Sequence, residues 1–352
     1  MTVCHRPTYV DYTYRYQPGR APALYRPSRD PAHVNNGDPE WLCVARTLIE
    51  GNLKVVRYIK DCGQAARGEP LKYGSQIIEL SDSDICLEPV DDHGYPVQLP
   101  LTVILGCVDA RAPAEIIFGM EFVNDIFNVR LAGNVVAEEC IGSIQYALRH
   151  LVFDDHHDSA GEVKRPVEPS REKRMRLVVS LGHEGCGAVT EAVRSFQTCE
   201  KNRPVATGAV AALLGHIVFP ALIVSAEAFD EVNGKNSSKV LDNLGMLCKL
   251  VSYVHCAWGA RELMDRVAEE GVKTVAAVGV VYGVLDPRDM HVRAVPCFPG
   301  NAGLASSSFG APPKDITELR ALALRIAMAI KNPNDQETTA ALLADQIVTA
   351  TL

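Results

Sequence analysis

Leu101-Thr102-Val103-Ile104-Leu105-Gly106-Cys107-Val108-Asp109-Ala110-Arg111 decides how this chain is read. A mostly apolar run ends at a glycine, and a thiol, a carboxylate and a guanidinium then follow at alternate positions. Short apolar runs bounded by glycine read as buried strands. The three groups after the run suit no core. They suit a metal ligand, a hydrogen-bonding acid and the cation that holds that acid. A second run repeats the design: Arg176-Leu177-Val178-Val179-Ser180-Leu181-Gly182, then His183-Glu184-Gly185-Cys186-Gly187. The two strand ends are the place to look for one shared metal.

Outward from these runs the pattern is α/β. Residues 39–66 read as a helix with Leu42, Ala45, Leu48, Ile49, Leu53 and Val56 as its stripe, Asp38 as cap and Pro39 in the first turn. Gly51-Asn52 interrupts that stripe and is expected to split the helix. Strand 101–105 is followed by a short helix over 111–119, strand 126–129, helix 137–152, strand 176–181 and a helix from Gly187 to about Phe196. Residues 207–230 read as an apolar helix carrying His216 as a core residue. Residues 239–269 read as helix, broken near Tyr253–Gly259, and 273–282 as strand. Alternating strands and helices predict a mostly parallel sheet flanked by helices, with sites off the carboxyl ends of the strands.

Four segments lie around or within this unit of 39–299. Residues 1–38 hold five tyrosines and five prolines with no helical or strand period, and read as an extended arm packed on a neighbouring subunit. Residues 67–97 read as loop with one short strand at 76–80. The insertion 153–175 carries six acidic and five basic residues and reads as a solvated excursion. The tail 300–352 reads as a Ser/Gly/Pro linker and two helices, 314–331 and 335–351, making a C-terminal helical extension.

Composition narrows the function. With 352 residues, 47% of them hydrophobic, the chain can build a large core without a metal staple. Its net charge of −8 argues against nucleic-acid binding. The amino-terminal stretch has no signal-peptide core and no run approaches the length of a membrane span, so a cytoplasmic protein is expected. The 11 cysteines are odd in number and scattered, as expected of free, mostly buried thiols. Of these, Cys107 and Cys186 sit at glycine-flanked strand ends.

Cys107, His183 and Cys186 together form a Cys2His set, which zinc accepts in a tetrahedron with one position open. The His183–Cys186 spacing of i, i+3 falls at a strand-to-helix turn, where free N–H groups favour a thiolate. Asp109 either closes the site as a fourth ligand or stands beside it, held back by a bidentate Arg111. A closed zinc site that merely ties two strands is the bland alternative.

At these residues the chain resembles a β-class carbonic anhydrase, from about Leu48 to Val292. Gly51-Asn52, Phe127-Asn128-Val129-Arg130-Leu131-Ala132-Gly133-Asn134, Gln145-Tyr146-Ala147 and Val278-Gly279-Val280-Val281-Tyr282 are similar to further family segments. The resemblance implies one Zn2+ per subunit on Cys107, His183 and Cys186, with Asp109–Arg111 as a gating dyad. It implies Gln98, in Gln98-Leu99-Pro100, as holder of a substrate oxygen, and a pocket of Phe127, Ala132, Tyr146 and Gly187. It implies reversible hydration of carbon dioxide to bicarbonate by hydroxide formed at the zinc, in a homodimer or higher oligomer. A carbon disulfide or carbonyl sulfide hydrolase on the same fold, and a non-enzymatic zinc scaffold, are the alternatives. The chain departs from the family's Cys-x-Asp-Ser-Arg at Ala110, and from its Glu-Tyr-Ala at Gln145.

Overall fold

The computed structural model describes residues 39–66, 98, 100–119, 125–151, 175–198, 208–269, 278–297, 306–335, 342 and 346–351. The arm 1–38, the loop 67–97 with its expected strand, and nearly all of the insertion 153–175 lie outside them.

The helices are α1 (Glu40–Ala66), α2 (Ala114–Ile117), α3 (Glu138–His150), α4 (Gly187–Thr198), α5 (Gly208–Ile217), α6 (Ile223–Asn233), α7 (Leu244–Glu269) and α8 (Ile316–Lys331). The strands are β1 (Thr102–Gly106), β2 (Ile126–Arg130), β3 (Leu177–His183), β4 (Gly279–Leu285), β5 (Val292–Arg293), β6 (Ser306–Gly310) and β7 (Gln346–Thr351). They form one seven-stranded sheet in the order β2-β1-β3-β4-β6-β7, with β5 also on β4. β2, β1, β3 and β4 are parallel, and β5, β6 and β7 join antiparallel.

Residues of β1 and β3 are buried on both faces, which is why these strands read as near-continuous apolar runs. Their side chains alternate between two cores. Ile104, Leu177, Val179, Leu181, Val281 and Leu285 face α1 and α2. Val103, Leu105 and Val178 face α3 and α7, and Tyr282 and Val284 face the helices from α4 onward. Truncating a buried side chain such as Leu48 to alanine should cost about 2–5 kcal/mol.

Gly51-Asn52 does not split α1. A Cβ on Gly51 would lie 1.9 Å from the Phe118 carbonyl oxygen, so glycine lets α2 approach. The Asn52 amide donates to the Ile117 and Met290 carbonyls, and its oxygen accepts from Val292 N–H and Ser307 Oγ. The dipeptide is a fastening point rather than a break. α7 is likewise continuous through Tyr253–Gly259 and is preceded by two 3₁₀ turns. Gly259 sits where α7 crosses β3, with Ser180 Oγ 3.2 Å from where a Cβ would be.

The apolar segment 207–230 is two helices joined by a π turn at Val218–Leu222. By length and composition alone, Gly208–Asn233 is apolar enough to cross a membrane, contrary to the expectation from the sequence. In this fold Val224, Ala228 and Phe229 of α6 are buried in the core shared with α7 and α8.

The tail also differs. α8 forms as expected, capped by Asp315, whose carboxylate accepts from the N–H groups of Thr317 and Glu318. The end of the second expected helix, 346–351, is strand β7, and the expected linker contains β6. β6 pairs with β7 from Ser306↔Thr351 to Gly310↔Gln346 and continues the central sheet. In Gln346-Ile347-Val348-Thr349-Ala350-Thr351, β-branched residues favour the pleated surface.

Candidate metal centre

β1 and β3 are neighbours, with Gly106 opposite Leu181. The residues that follow them therefore meet at the carboxyl edge of the sheet. Cys107 leaves β1, His183 ends β3, and Cys186 precedes α4 after a turn in which Gly185 adopts φ +69°. The Sγ atoms of Cys107 and Cys186 are 4.0 Å apart, and these two and a His183 ring nitrogen all lie within 4.8 Å of one another, all three residues buried. Tetrahedral zinc, with Zn–S of about 2.3 Å and Zn–N of about 2.0 Å, spaces its ligand atoms about 3.5–3.8 Å apart.

The chemistry of the three groups agrees with that spacing. His183 Nδ1 is 3.0 Å from the Glu184 carbonyl, which can only accept, so Nδ1 carries the proton. Nε2 then presents its lone pair, buried and with no hydrogen-bond partner. Either thiol can donate to the other across 4.0 Å. Cys107 is held well below the usual thiol range, foremost by Cys186, with burial opposing and with His183 and the backbone at Asp109 and Gly133 helping. Cys186 is correspondingly pushed up by Cys107 and by burial. Gly133 N–H donates to Cys107 Sγ at 3.3 Å.

Asp109 stands beside this cluster, its Oδ2 3.7 Å from His183 Nε2. Arg111 grips both carboxylate oxygens, Nε on Oδ1 at 3.0 Å and Nη2 on Oδ2 at 2.6 Å, and its backbone N–H adds a bond to Oδ1. That grip holds the Asp109 carboxyl well below the ordinary carboxylate range.

The remaining expected residues are spread out. Gln98 is exposed just before buried Pro100, Phe127 is half-buried on β2, and Tyr146 is exposed on α3. Ala132 opens the 3₁₀ turn that contains Gly133, and Gly187 is the exposed first residue of α4. A cavity of about 440 Å³ lies beside β2 and α3, lined by Phe127, Arg130, Leu131 and Cys140 among others, and none of the three metal-set residues lines it. His216 is exposed rather than core.

Two supports were not singled out from the sequence. Arg130 donates from Nε to the Cys107 carbonyl at 2.9 Å and from Nη2 to the Asp109 carbonyl at 2.7 Å, fixing the turn after β1. Glu184 accepts from Tyr253 Oη and Arg288 Nη2 and pairs with Lys249. The available signals were slight: an arginine at the end of the neighbouring strand, opposite Gly106, and a charge beside a ligand.

The sequence model of the family described as Carbonic anhydrase matches residues 102–156. Over those residues the chain is similar to that family. The matched segment carries Cys107, Asp109, Arg111, Phe127 and Tyr146, while His183 and Cys186 lie beyond it and reach the same site through β3. "Carbonic anhydrase 2" of Mycobacterium tuberculosis (strain CDC 1551 / Oshkosh) is 38% identical over 99 residues, 28% of this chain and 37% of that protein. "Carbonic anhydrase" of Mycolicibacterium smegmatis (strain ATCC 700084 / mc(2)155) is 28% identical over 153 residues, 42% of this chain and 61% of that one. The chain thus spans little more than a third of the length of the first relative. Among solved structures, the β-carbonic anhydrase CafA of Aspergillus fumigatus is 20% identical, covers 56% of this chain and 78% of its own, and has a TM-score of 0.39.

Proposed function

We propose that this protein catalyses the reversible hydration of carbon dioxide, with Cys107, His183 and Cys186 holding a zinc ion. The observation that carries the proposal is the buried Nε2 of His183, without a hydrogen-bond partner, in a cluster with two thiols 4.0 Å apart whose three donor atoms lie within 4.8 Å of one another. Zinc held there would supply Lewis acidity that lowers the pKa of water toward neutrality, to somewhat above about 7 because two thiolates donate charge to the metal.

The chain's own groups do the rest. His183 is fixed in one tautomer by the Glu184 carbonyl. Arg111 occupies both oxygens of Asp109 and keeps the carboxylate off the metal position, so one face of the site stays open to substrate. Ionised Asp109 is an acceptor only, and it orients the attacking water by taking a hydrogen bond from it. The reaction adds the oxygen of water to the carbon of carbon dioxide and releases one proton with the bicarbonate. Gln98, Phe127, Ala132, Tyr146 and Gly187 are the proposed substrate contacts. We extend the reading to a homo-oligomer, supported by the exposed apolar side chains Val108, Ile116 and Tyr146.

The test is stopped-flow hydration of carbon dioxide at alkaline pH by purified protein of measured zinc content. Negligible hydration by the zinc-loaded protein defeats the proposal. Faster turnover of carbon disulfide or carbonyl sulfide by the same preparation would reassign the substrate.

A further inference from the structure

His255 lies on α7, far from the motifs in sequence and fully enclosed in the structure. Its Nε2 is 2.9 Å from the Gly133 carbonyl. A carbonyl only accepts, so Nε2 carries the proton and Nδ1 carries the lone pair. Nδ1 is buried and has no hydrogen-bond partner. Burial is the main reason the imidazole is pushed down to about 4, with the Gly133 bond opposing and His216 contributing, so the ring is neutral over the working range. A buried imidazole with one idle nitrogen is unfavourable compared with an apolar side chain of similar size. Something must be gained at the other nitrogen.

What Nε2 holds is the turn that touches the metal set. Gly133 adopts φ +68°, and its N–H donates to Cys107 Sγ at 3.3 Å. Its other sides are closed. A Cβ on Gly133 would lie 3.0 Å from Ile217 Cδ1 and 3.1 Å from the Ala188 Cβ. The glycine is therefore clamped between α5 and α4 and pinned by His255 from α7. A hydrogen bond to a thiolate ligand draws charge from the sulfur, which changes how strongly it donates to a metal.

We propose that His255 is a positioning residue for the metal centre: by holding the Gly133 carbonyl it aims the Gly133 N–H at Cys107 Sγ and so sets the donor strength of that ligand. The inference rests on the reading of Cys107, His183 and Cys186 as a metal site. It gives α7 a role at that site which no motif of the chain announces.

The experiment uses the full chain loaded with Co2+, whose thiolate-to-metal charge-transfer band reports the sulfur ligands directly, together with Zn2+ affinity by chelator competition. Two variants separate the ring nitrogens. His255→Gln places an amide N–H near the position of Nε2. His255→Asn places one near Nδ1 and cannot reach Gly133. Both remain polar, and the thermal midpoint of each metal-free variant is recorded beside the spectra. The expected result is that the asparagine variant shifts the charge-transfer band and weakens Zn2+ binding by about tenfold or more. The glutamine variant keeps both near wild type. Equal spectra and affinities in all three proteins overturn the inference and leave the metal reading standing. A shift of both variants in step with their metal-free stability reduces His255 to a packing residue and also overturns it. A wild-type protein that takes up no Co2+ on its thiols overturns both readings together.

Discussion

The chain builds the same corner twice. Asp109-Ala110-Arg111 follows β1, and Asp286-Pro287-Arg288 follows β4. In each, the arginine N–H and Nε bond Oδ1 and Nη2 bonds Oδ2, at 2.9, 3.0 and 2.6 Å in the first and 3.0, 2.8 and 2.6 Å in the second. The surroundings differ. The Asp109 side chain is 19% exposed and sits 3.7 Å from His183 Nε2, and Arg111 is 59% exposed. The Asp286 side chain is 6% exposed, and Arg288 spends its Nη2 also on Glu184 Oε2 at 2.8 Å. Glu184 in turn takes Tyr253 and Lys249, and its carbonyl fixes His183. Both arginines are exposed, Arg288 at 69%, and Arg111 Nη2 also reaches the Gly185 carbonyl at 3.4 Å, so the difference lies at the carboxylates: Asp109 stands beside the metal set, while Asp286 is buried behind an arginine shared with Glu184. Closely similar local geometry thus serves two surroundings, and under the proposed function the first corner is a gate and the second a clamp.

The largest effect removes what the comparison is anchored on. Cys107→Ala should lose the metal, measured as zinc per chain after dialysis, and with it all hydration above background. A variant that keeps stoichiometric zinc and turnover would move the metal away from β1, and the two corners would lose their distinction.

Next comes the gate itself. Asp109→Asn should keep zinc and the fold yet lose about 100-fold in kcat, because the amide presents a donor where an acceptor must orient water. Full turnover in that variant would make the first corner as structural as the second.

How the two corners were read shows what sequence makes legible. Cys107 and His183-x-x-Cys186 stood out because a glycine ends each apolar run and chemistry begins at once. α1 and the parallel strands followed from apolar period and burial on both faces. What escaped depends on long-range backbone contact. Asn52 looked like a helix break because the four groups it bonds lie 65 to 255 residues away. β7 looked helical because its partner β6 hid in a run of Ser306-Ser307-Ser308, whose sheet role appears only on pairing. Arg130, Gly133 and His255 act through main-chain atoms, which leave no spacing to read. In the sequence, nothing local tells the geometry of Asp286-Pro287-Arg288 from that of Asp109-Ala110-Arg111.

A smaller effect tests the clamp. Asp286→Asn keeps the shape and removes the charge, so it should cost about 2 kcal/mol of stability, the scale of a hydrogen bond to a charged group. Chemical denaturation of the zinc protein measures it. Turnover should stay close to wild type, in contrast to Asp109→Asn. Lost turnover at full zinc content would show that the clamp acts on His183 through Glu184, and the corners would then be two parts of one device.

The smallest effect is the acid dependence of that gap. Burial raises the Asp286 carboxyl, but the bonds from Arg288 outweigh it, and the group ends below its ordinary value. A carboxylate depressed in the folded state binds its proton less readily than in the unfolded chain. Its stabilisation is therefore present in full above the unfolded value of about 3.9 and is lost as pH falls through the lower folded value. The stability difference between wild type and Asp286→Asn should be flat from neutrality to about pH 5 and narrow below pH 4. A gap that persists unchanged at pH 2 would assign the loss to packing of the side chain, and Asp286 would then hold the corner by shape rather than by charge.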